Sequence, residues 1–358
     1  MSNLYQWSRK HASSLAFVAG FVWDNIMLDR IDHIFANVML ATYLLLAGAS
    51  IVISNMHEHR KRRTGNERRY ARLIPYILQF CFGSLFSAYI IFYTQSASLI
   101  TDWPFLLFLV FLVVLNEYAH KRYTAPPIQF SIFFFVLFSW SVFSLPVFLG
   151  RMGGDVFVMS GLLSLLGVFF LSLIVRSVAS PVYAESRSLI AVGVLSLYAL
   201  FNYAYWTNNI PPIPLALKEI GVYHSVTRTS DGSYNLSFEP KPWHFLQRGT
   251  SAVFTRAGNE PVYVWSSVFA PAKLSASLSY TWSYFDPTDD QWIMTDRVPF
   301  PLTGGRDDGY RGYTQKFGVF PAQWRVDVET ARHELVGRAS FEIVNGTVPA
   351  GTLVTEVH

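Results

Sequence analysis

Residues 34–72 read IFANVMLATYLLLAGASIVISNMHEHRKRRTGNERRYAR. From Ile34 to Ser54 the stretch carries no charge, and beyond it come seven basic residues: Arg60, Lys61, Arg62, Arg63, Arg68, Arg69 and Arg72. A helix needs about 20 apolar residues to cross the hydrocarbon core of a bilayer. Loops rich in Lys and Arg stay on the cytoplasmic side. This stretch therefore predicts a membrane span whose carboxy-terminal end faces the cytoplasm.

Working outward, six further apolar runs carry the same signal: Ser13 to Leu28, Leu73 to Thr94, Ile100 to Leu115, Ile128 to Leu149, Val156 to Val175 and Leu189 to Tyr205. The first and third of these are weaker, with Asp24 and Asn25 in one and Asp102 and Pro104 in the other, but helices held in a bundle tolerate polar residues near an interface. The loops test the count independently. With seven spans, one side collects 13 basic residues and the other only Arg30 and Arg151. An error of one span would scatter the basic loops over both sides, so the amino terminus is expected inside and everything after Tyr205 outside. Arg9 and Lys10 precede the first run as in a signal peptide. No A-x-A-like cleavage site follows, and an uncleaved first helix is expected.

The composition agrees. Of 358 residues, 51% are hydrophobic, 16% aromatic and only 15% charged, against about 25% charged in soluble chains. The composition points away from a purely soluble protein, and the apolar excess is expected to sit in lipid. Residues 1–206 hold 15 Lys and Arg against 9 Asp and Glu, whereas residues 207–358 hold 13 against 15. The net charge of +4 thus belongs to the membrane half, where anionic headgroups account for it, and nucleic acid is not an expected partner. Cys81 is the single cysteine and lies inside an apolar run. The region beyond residue 206 can form no disulfide and no cysteine-built metal site.

From Ile210 the pattern changes. IPPIPL (210–215) cannot continue a helix and reads as a stiff linker over residues 207–215. Period-two alternation then takes over. Leu274, Ala276, Leu278, Tyr280, Trp282 and Tyr284 alternate with Ser275, Ser277, Ser279, Thr281 and Ser283, one packed face against one hydroxyl face. Trp324, Val326 and Val328 oppose Arg325, Asp327 and Glu329 in the same way. Further strands are expected at Val222 to Arg228, Ser233 to Phe238, Ala252 to Arg256, Val262 to Phe269, Trp292 to Val298, Tyr310 to Lys316 and Gly337 to Val344, separated by turns such as Ser230-Asp231-Gly232. The expected fold class is an α-helical transmembrane bundle of seven spans (residues 1–206), amino terminus in and carboxy terminus out, followed by an all-β, immunoglobulin-like antiparallel sandwich over residues 216–345 and a tail over 346–358.

GGRDDGYRGYTQK (304–316), WRVDVET (324–330) and GRASFEI (337–343), with IPPIPLALKEIGVYHSV (210–226) and VYVWSSVFAPAKL (262–274), resemble an uncharacterised bacterial membrane family catalogued by its carboxy-terminal domain of unknown function, DUF-2914. The resemblance covers most of residues 210–344. It implies a Gram-negative inner-membrane protein with a periplasmic β domain, and it brings no activity, cofactor or catalytic residues with it.

Within that domain the run 304–316 is chemically the most distinctive. Its glycines leave backbone N–H groups open, Arg306, Arg311 and Lys316 are cationic donors, and Tyr310 and Tyr313 offer stacking faces, a set able to hold a phosphate, carboxylate or anionic sugar. The competing reading is a hairpin whose arginines pair with Asp307, Asp308 and Asp327. Trp243 is a candidate exposed aromatic, while Trp282 and Trp324 belong to the core side of their strands. Asp24, Asp29 and Asp102 would serve an ion pathway if they turned inward. No catalytic motif, metal-ligand set or cofactor fingerprint is present. The expected function is that of a non-enzymatic inner-membrane envelope protein, in contact with membrane lipids, whose periplasmic sandwich binds a glycan, a lipid headgroup or a protein partner. The alternative is a transporter or lipid flippase with a periplasmic cap.

Overall fold

The computed structural model describes residues 34–65, 73–96, 103–118, 125–240, 250–271, 274–305, 309–349 and 351–358. The chain divides into two compact units, Met1–Ile213 and Pro214–His358.

Among the described residues the first unit has six helices: α1 (Ile34–Thr64), α2 (Ile74–Ser96), α3 (Trp103–Tyr118), α4 (Pro126–Leu149), α5 (Gly154–Val178) and α6 (Ser180–Trp206). Five are long and apolar enough to cross a membrane, and α3 is a shorter apolar helix. They overlie the second to seventh apolar runs. The first run, Ser13 to Leu28, lies outside the described residues. Punctuation follows local chemistry: α4 opens on a proline pair, whose missing N–H groups cost nothing in a first turn, and closes on Gly150 in the left-handed region.

Helices without a hydrophobic drive between them associate through small residues and buried hydrogen bonds. At Gly161 of α5 a Cβ would lie 2.6 Å from the Tyr198 ring of α6, and Phe157 stacks on Tyr205 at 3.8 Å. With Ala179 alone between the two helices, these contacts make α5 and α6 an antiparallel hairpin. Ser160 and Ser164 donate to the Ser141 carbonyl and hydroxyl of α4, both at 3.2 Å. Asn55 of α1 donates to Gln129 of α4 at 2.8 Å, and Gln129 donates to Ser54 at 3.1 Å. Arg62 joins Glu58 at 3.0 Å and Glu185 at 2.7 Å, so the end of α1 and the start of α6 lie at one end of the bundle. Lys61, Arg62, Arg63 and Arg176 occupy last turns there. The outward side of α5 is apolar, with Leu162, Phe169 and Phe170 each 55% exposed.

The second unit is all β: β1 (Ala216–Tyr223), β2 (Ser225–Arg228), β3 (Tyr234–Phe238), β4 (Val253–Arg256), β5 (Val262–Phe269), β6 (Ser275–Asp286), β7 (Gln291–Thr303), β8 (Tyr310–Lys316), β9 (Gln323–Thr330), β10 (Leu335–Asn345) and β11 (Val354–Val357). They form a five-stranded sheet β4-β10-β9-β6-β7 and two three-stranded sheets, β1-β5-β8 and β11-β3-β2. The inward side of β6 (Leu278, Tyr280, Trp282) and of β9 (Trp324, Val326, Val328) is fully buried, as the alternation demands. Ser266 of β5 meets Tyr280 of β6, oxygen to oxygen, at 2.7 Å, which locks the sheet β1-β5-β8 face to face with the five-stranded sheet.

Three expectations are corrected. The pairing is antiparallel except where β4 runs parallel to β10. That pairing is open to β4 because five strands intervene in sequence, long enough for the crossover a parallel pair requires. The segment expected as one strand over Val222 to Arg228 is broken at His224, where β1 ends and β2 begins. Residues 346–358 are not a free tail: β11 pairs with β3, and the backbone of His358 bonds Tyr234 in both directions at 2.7 and 2.9 Å.

Gln129→Leu should remove the bond that the buried Asn55 amide makes across the helices, leaving it only the Ile51 carbonyl of its own helix, and lower the stability of the helical unit by about 0.6–2 kcal/mol. The check is the unfolding temperature in detergent.

Candidate functional site

Strand β8 is the edge of its sheet, paired on one side with β5 from Val268↔Tyr310 to Val262↔Lys316. Its pleat divides the run that the sequence groups together. Tyr310, Gly312, Thr314 and Lys316 face the five-stranded sheet. Tyr310 lies parallel to Phe300 at 6.5 Å, and Trp282 donates to the buried Thr314 hydroxyl at 3.4 Å. Lys316 is paired with Asp296 and lies 5.9 Å from the centre of the Trp324 ring. Burial pushes its ammonium below the ordinary lysine value. Lys316 therefore serves the sandwich, and it does not share the face of Arg311.

Arg311, Tyr313 and Gln315 point to the other side, beside Trp265 and Tyr263 of β5. Trp265 is only 1% exposed. Tyr223 and Tyr234 flank it at 6.3 Å and His358 at 5.2 Å. These rings, with Val226, Leu236 and Phe238, form a second core between the two three-stranded sheets. Tyr313 sits at the margin of that core, 46% exposed, with Tyr263 at 6.2 Å and Tyr234 at 6.3 Å. The site is thus a half-buried Arg311, opposite Ser267, on the strand face it shares with Tyr313, and Tyr313 in turn adjoins Tyr263 and Tyr234. Tyr234 and Tyr263 were missed in the sequence, because each lies in a strand whose alternation reads only as packing.

Of the sequence candidates, the structure brings Arg311 and Tyr313 together and turns Tyr310 and Lys316 away from them. Arg306 and Trp243 lie outside the described residues, as do Asp24, Asp29 and Asp102. The pairing of these arginines with Asp327 is corrected for the described Arg311: Asp327 is on the five-stranded sheet, held by Arg338 through two bonds of 2.5 and 2.8 Å. Register decides this, since Arg338 is directly opposite Asp327 on β10.

The loop before β8 keeps its glycines for space. A Cβ at Gly304 would fall 1.9 Å from the Pro271 carbonyl oxygen, with no side chain there able to move aside.

The smaller sheet is fastened by two histidines. His224 lies flat on Phe254 at 4.2 Å, its Nε2 3.1 Å from Glu239 and its Nδ1 3.3 Å from Glu260. His358 repeats the arrangement, with Nδ1 3.3 Å from Glu219 and Nε2 3.4 Å from Glu356. Among the described residues no group of three His, Cys, Asp or Glu is arranged to hold a metal ion.

With this geometry in place, comparison with known proteins adds one assignment. Residues 275–343 match the family described as "Protein of unknown function (DUF2914)". That match runs from β6 to β10 and takes in β8 with Arg311 and Tyr313. No curated protein matches the chain. Among solved structures, a beta-glucosidase from Listeria innocua in complex with isofagomine aligns over 39% of this chain and 18% of its own, at 11% identity and a TM-score of 0.19. The chain thus spans less than a fifth of that enzyme. The Pseudomonas fluorescens alkylpurine DNA glycosylase AlkC, bound to DNA containing an abasic site analog, aligns over 88% of this chain and 99% of its own, at 12% identity and a TM-score of 0.20. Scores this low carry no fold correspondence.

His224→Ala should cost about 1–3 kcal/mol, because it removes the buried imidazole that stacks on Phe254 and whose two ring nitrogens face Glu239 and Glu260. Thermal unfolding of the full chain in detergent measures it, and an unchanged transition would mean that the clamp holds nothing.

Proposed function

We propose that this chain is a non-enzymatic envelope protein of the bacterial inner membrane. In this reading seven spans with a cytoplasmic amino terminus anchor an immunoglobulin-like sandwich, extended by a third sheet, in the periplasm, where it binds an envelope glycan. Five apolar helices with lipid-compatible outer faces support the anchor. The basic last turns gathered at one end of the bundle support the orientation.

The observation that carries the binding role is the face of β8 that Arg311 shares with the exposed Tyr313, whose ring lies near that of the half-buried Tyr263. Tyrosine rings present an apolar face at low conformational cost, and a guanidinium donates to sugar hydroxyls and carboxylates. A lipid headgroup or a protein partner would use the same donors. A glycan uses the ring faces as well.

Arg311→Ala combined with Tyr313→Ala should reduce capture of envelope glycan by the full chain at least tenfold while the unfolding temperature stays near wild type, since Tyr313 is exposed at the margin of its cluster. Retained capture would overturn the reading, and so would capture lost only in proportion to unfolded protein. Reporter fusions at Gly65 and Gly346 should report cytoplasmic and periplasmic locations respectively. The same side for both would refute the topology.

A further inference from the structure

The outer face of the five-stranded sheet carries three arginines, Arg297, Arg325 and Arg338, and three carboxylates, Asp327, Glu329 and Glu342, but they are not paired one to one. Arg338 on β10 and Arg325 on β9 flank one carboxylate, Asp327, which is 4% exposed. Arg338 takes it through both carboxylate oxygens. Arg325 is left with its Nε 3.7 Å from Asp327, too far for a hydrogen bond, and that Nε is buried without a partner. Among the described residues the guanidinium of Arg325 donates to nothing. It rests on the Trp292 ring of β7, 4.4 Å from the ring centre. Burial first, and the neighbouring Arg338 second, push it below the ordinary arginine value. A fork of five N–H donors whose Nε is buried without a partner, stacked on an aromatic and beside a like charge, is suited to take an anion.

The surroundings can receive one. Ser340 of β10 is directly opposite Arg325 and exposed, and Ser283 of β6 is opposite it on the other side. The other acidic groups of this face have their own bonds or stand apart: Glu329 accepts from Thr281 at 2.9 Å and from Arg297 at 3.0 Å, and Glu342 lies exposed beyond Ser340. We propose that Arg325, supported on Trp292 and flanked by Ser340 and Arg338, is a binding site for the oxyanion of a phosphate group. It is separate from the Arg311 and Tyr313 surface, which lies on a different sheet, and does not depend on it.

The test is titration of the full chain in neutral detergent with inorganic phosphate at constant ionic strength, read as saturable binding by calorimetry. Wild type should bind. Arg325→Gln should weaken binding at least tenfold without lowering the unfolding temperature, because it relieves Arg338 of a like charge. Arg325→Lys, which keeps the charge but not the fork, should fall between the two and covers the case in which the glutamine variant does not fold. Nanodiscs with and without phosphatidylglycerol separate the sources. A gain in stability with the anionic lipid that requires Arg325 assigns the phosphate to a headgroup, and its absence alongside phosphate binding assigns it to a soluble ligand. Lack of saturable phosphate binding by wild type overturns the proposal, as does equal affinity in wild type and the Arg325 variants.

Discussion

From Val264 to Val268, strand β5 has no solvent face. Val264, Ser266 and Val268 point toward the five-stranded sheet and Trp265 and Ser267 point away from it, and all are at most 3% exposed. A strand buried on both sides needs a layer on each, and the rest of the β unit follows from that requirement. One layer is the five-stranded sheet, joined through Ser266 and Tyr280. The other is the small sheet β11-β3-β2, which closes over Trp265 and recruits the last residues of the chain to do so. His224 and His358 fasten this second layer at carboxylates of its surroundings, where a purely apolar contact of so few residues would bury little area.

The same two-sidedness passes to β8, the neighbour of β5. Its residues inherit one face in the sandwich core and one beside the Trp265 cluster. The chemistry of the strand is thereby sorted: Thr314 and Lys316 turn to the sandwich core, and Arg311 and Tyr313 turn to the other side, where Tyr313 lies near Tyr263 and Tyr234. The five-stranded sheet shows a related division. Its inner face is closed by tryptophan and valine, while its hydroxyl face carries three arginines, Arg297, Arg325 and Arg338, and three carboxylates, Asp327, Glu329 and the exposed Glu342, and among the described residues Arg325 is the arginine of this face without a hydrogen bond.

The helical unit obeys a different constraint. Apolar side chains face outward as readily as inward, and specificity comes from what is not apolar: Asn55 with Gln129 and Ser54, the serine contacts of α5 with α4, and the close approach at Gly161. None of these shows in a hydropathy pattern, since each is a small or polar residue inside a run that reads as uniformly apolar.

The apolar runs and the strands with strict alternation were legible in the sequence because they depend on side-chain period and length alone. Val262–Phe269 and Tyr310–Lys316 have the expected ends, and Trp282 and Trp324 are core residues as their strand positions imply. Residues 304–316 also carry the family wording that the match over 275–343 bears out. Tertiary structure decided the rest. Whether Tyr310 or Tyr313 joins Arg311, which arginine takes Asp327, and that residues 354–358 complete a sheet all depend on strand register and on partners more than a hundred positions away in the case of β11. A linear pattern records which face a residue shares with its neighbours two positions on. It does not record what lies across from that face, because pairing between distant strands is set by the packing of the whole unit.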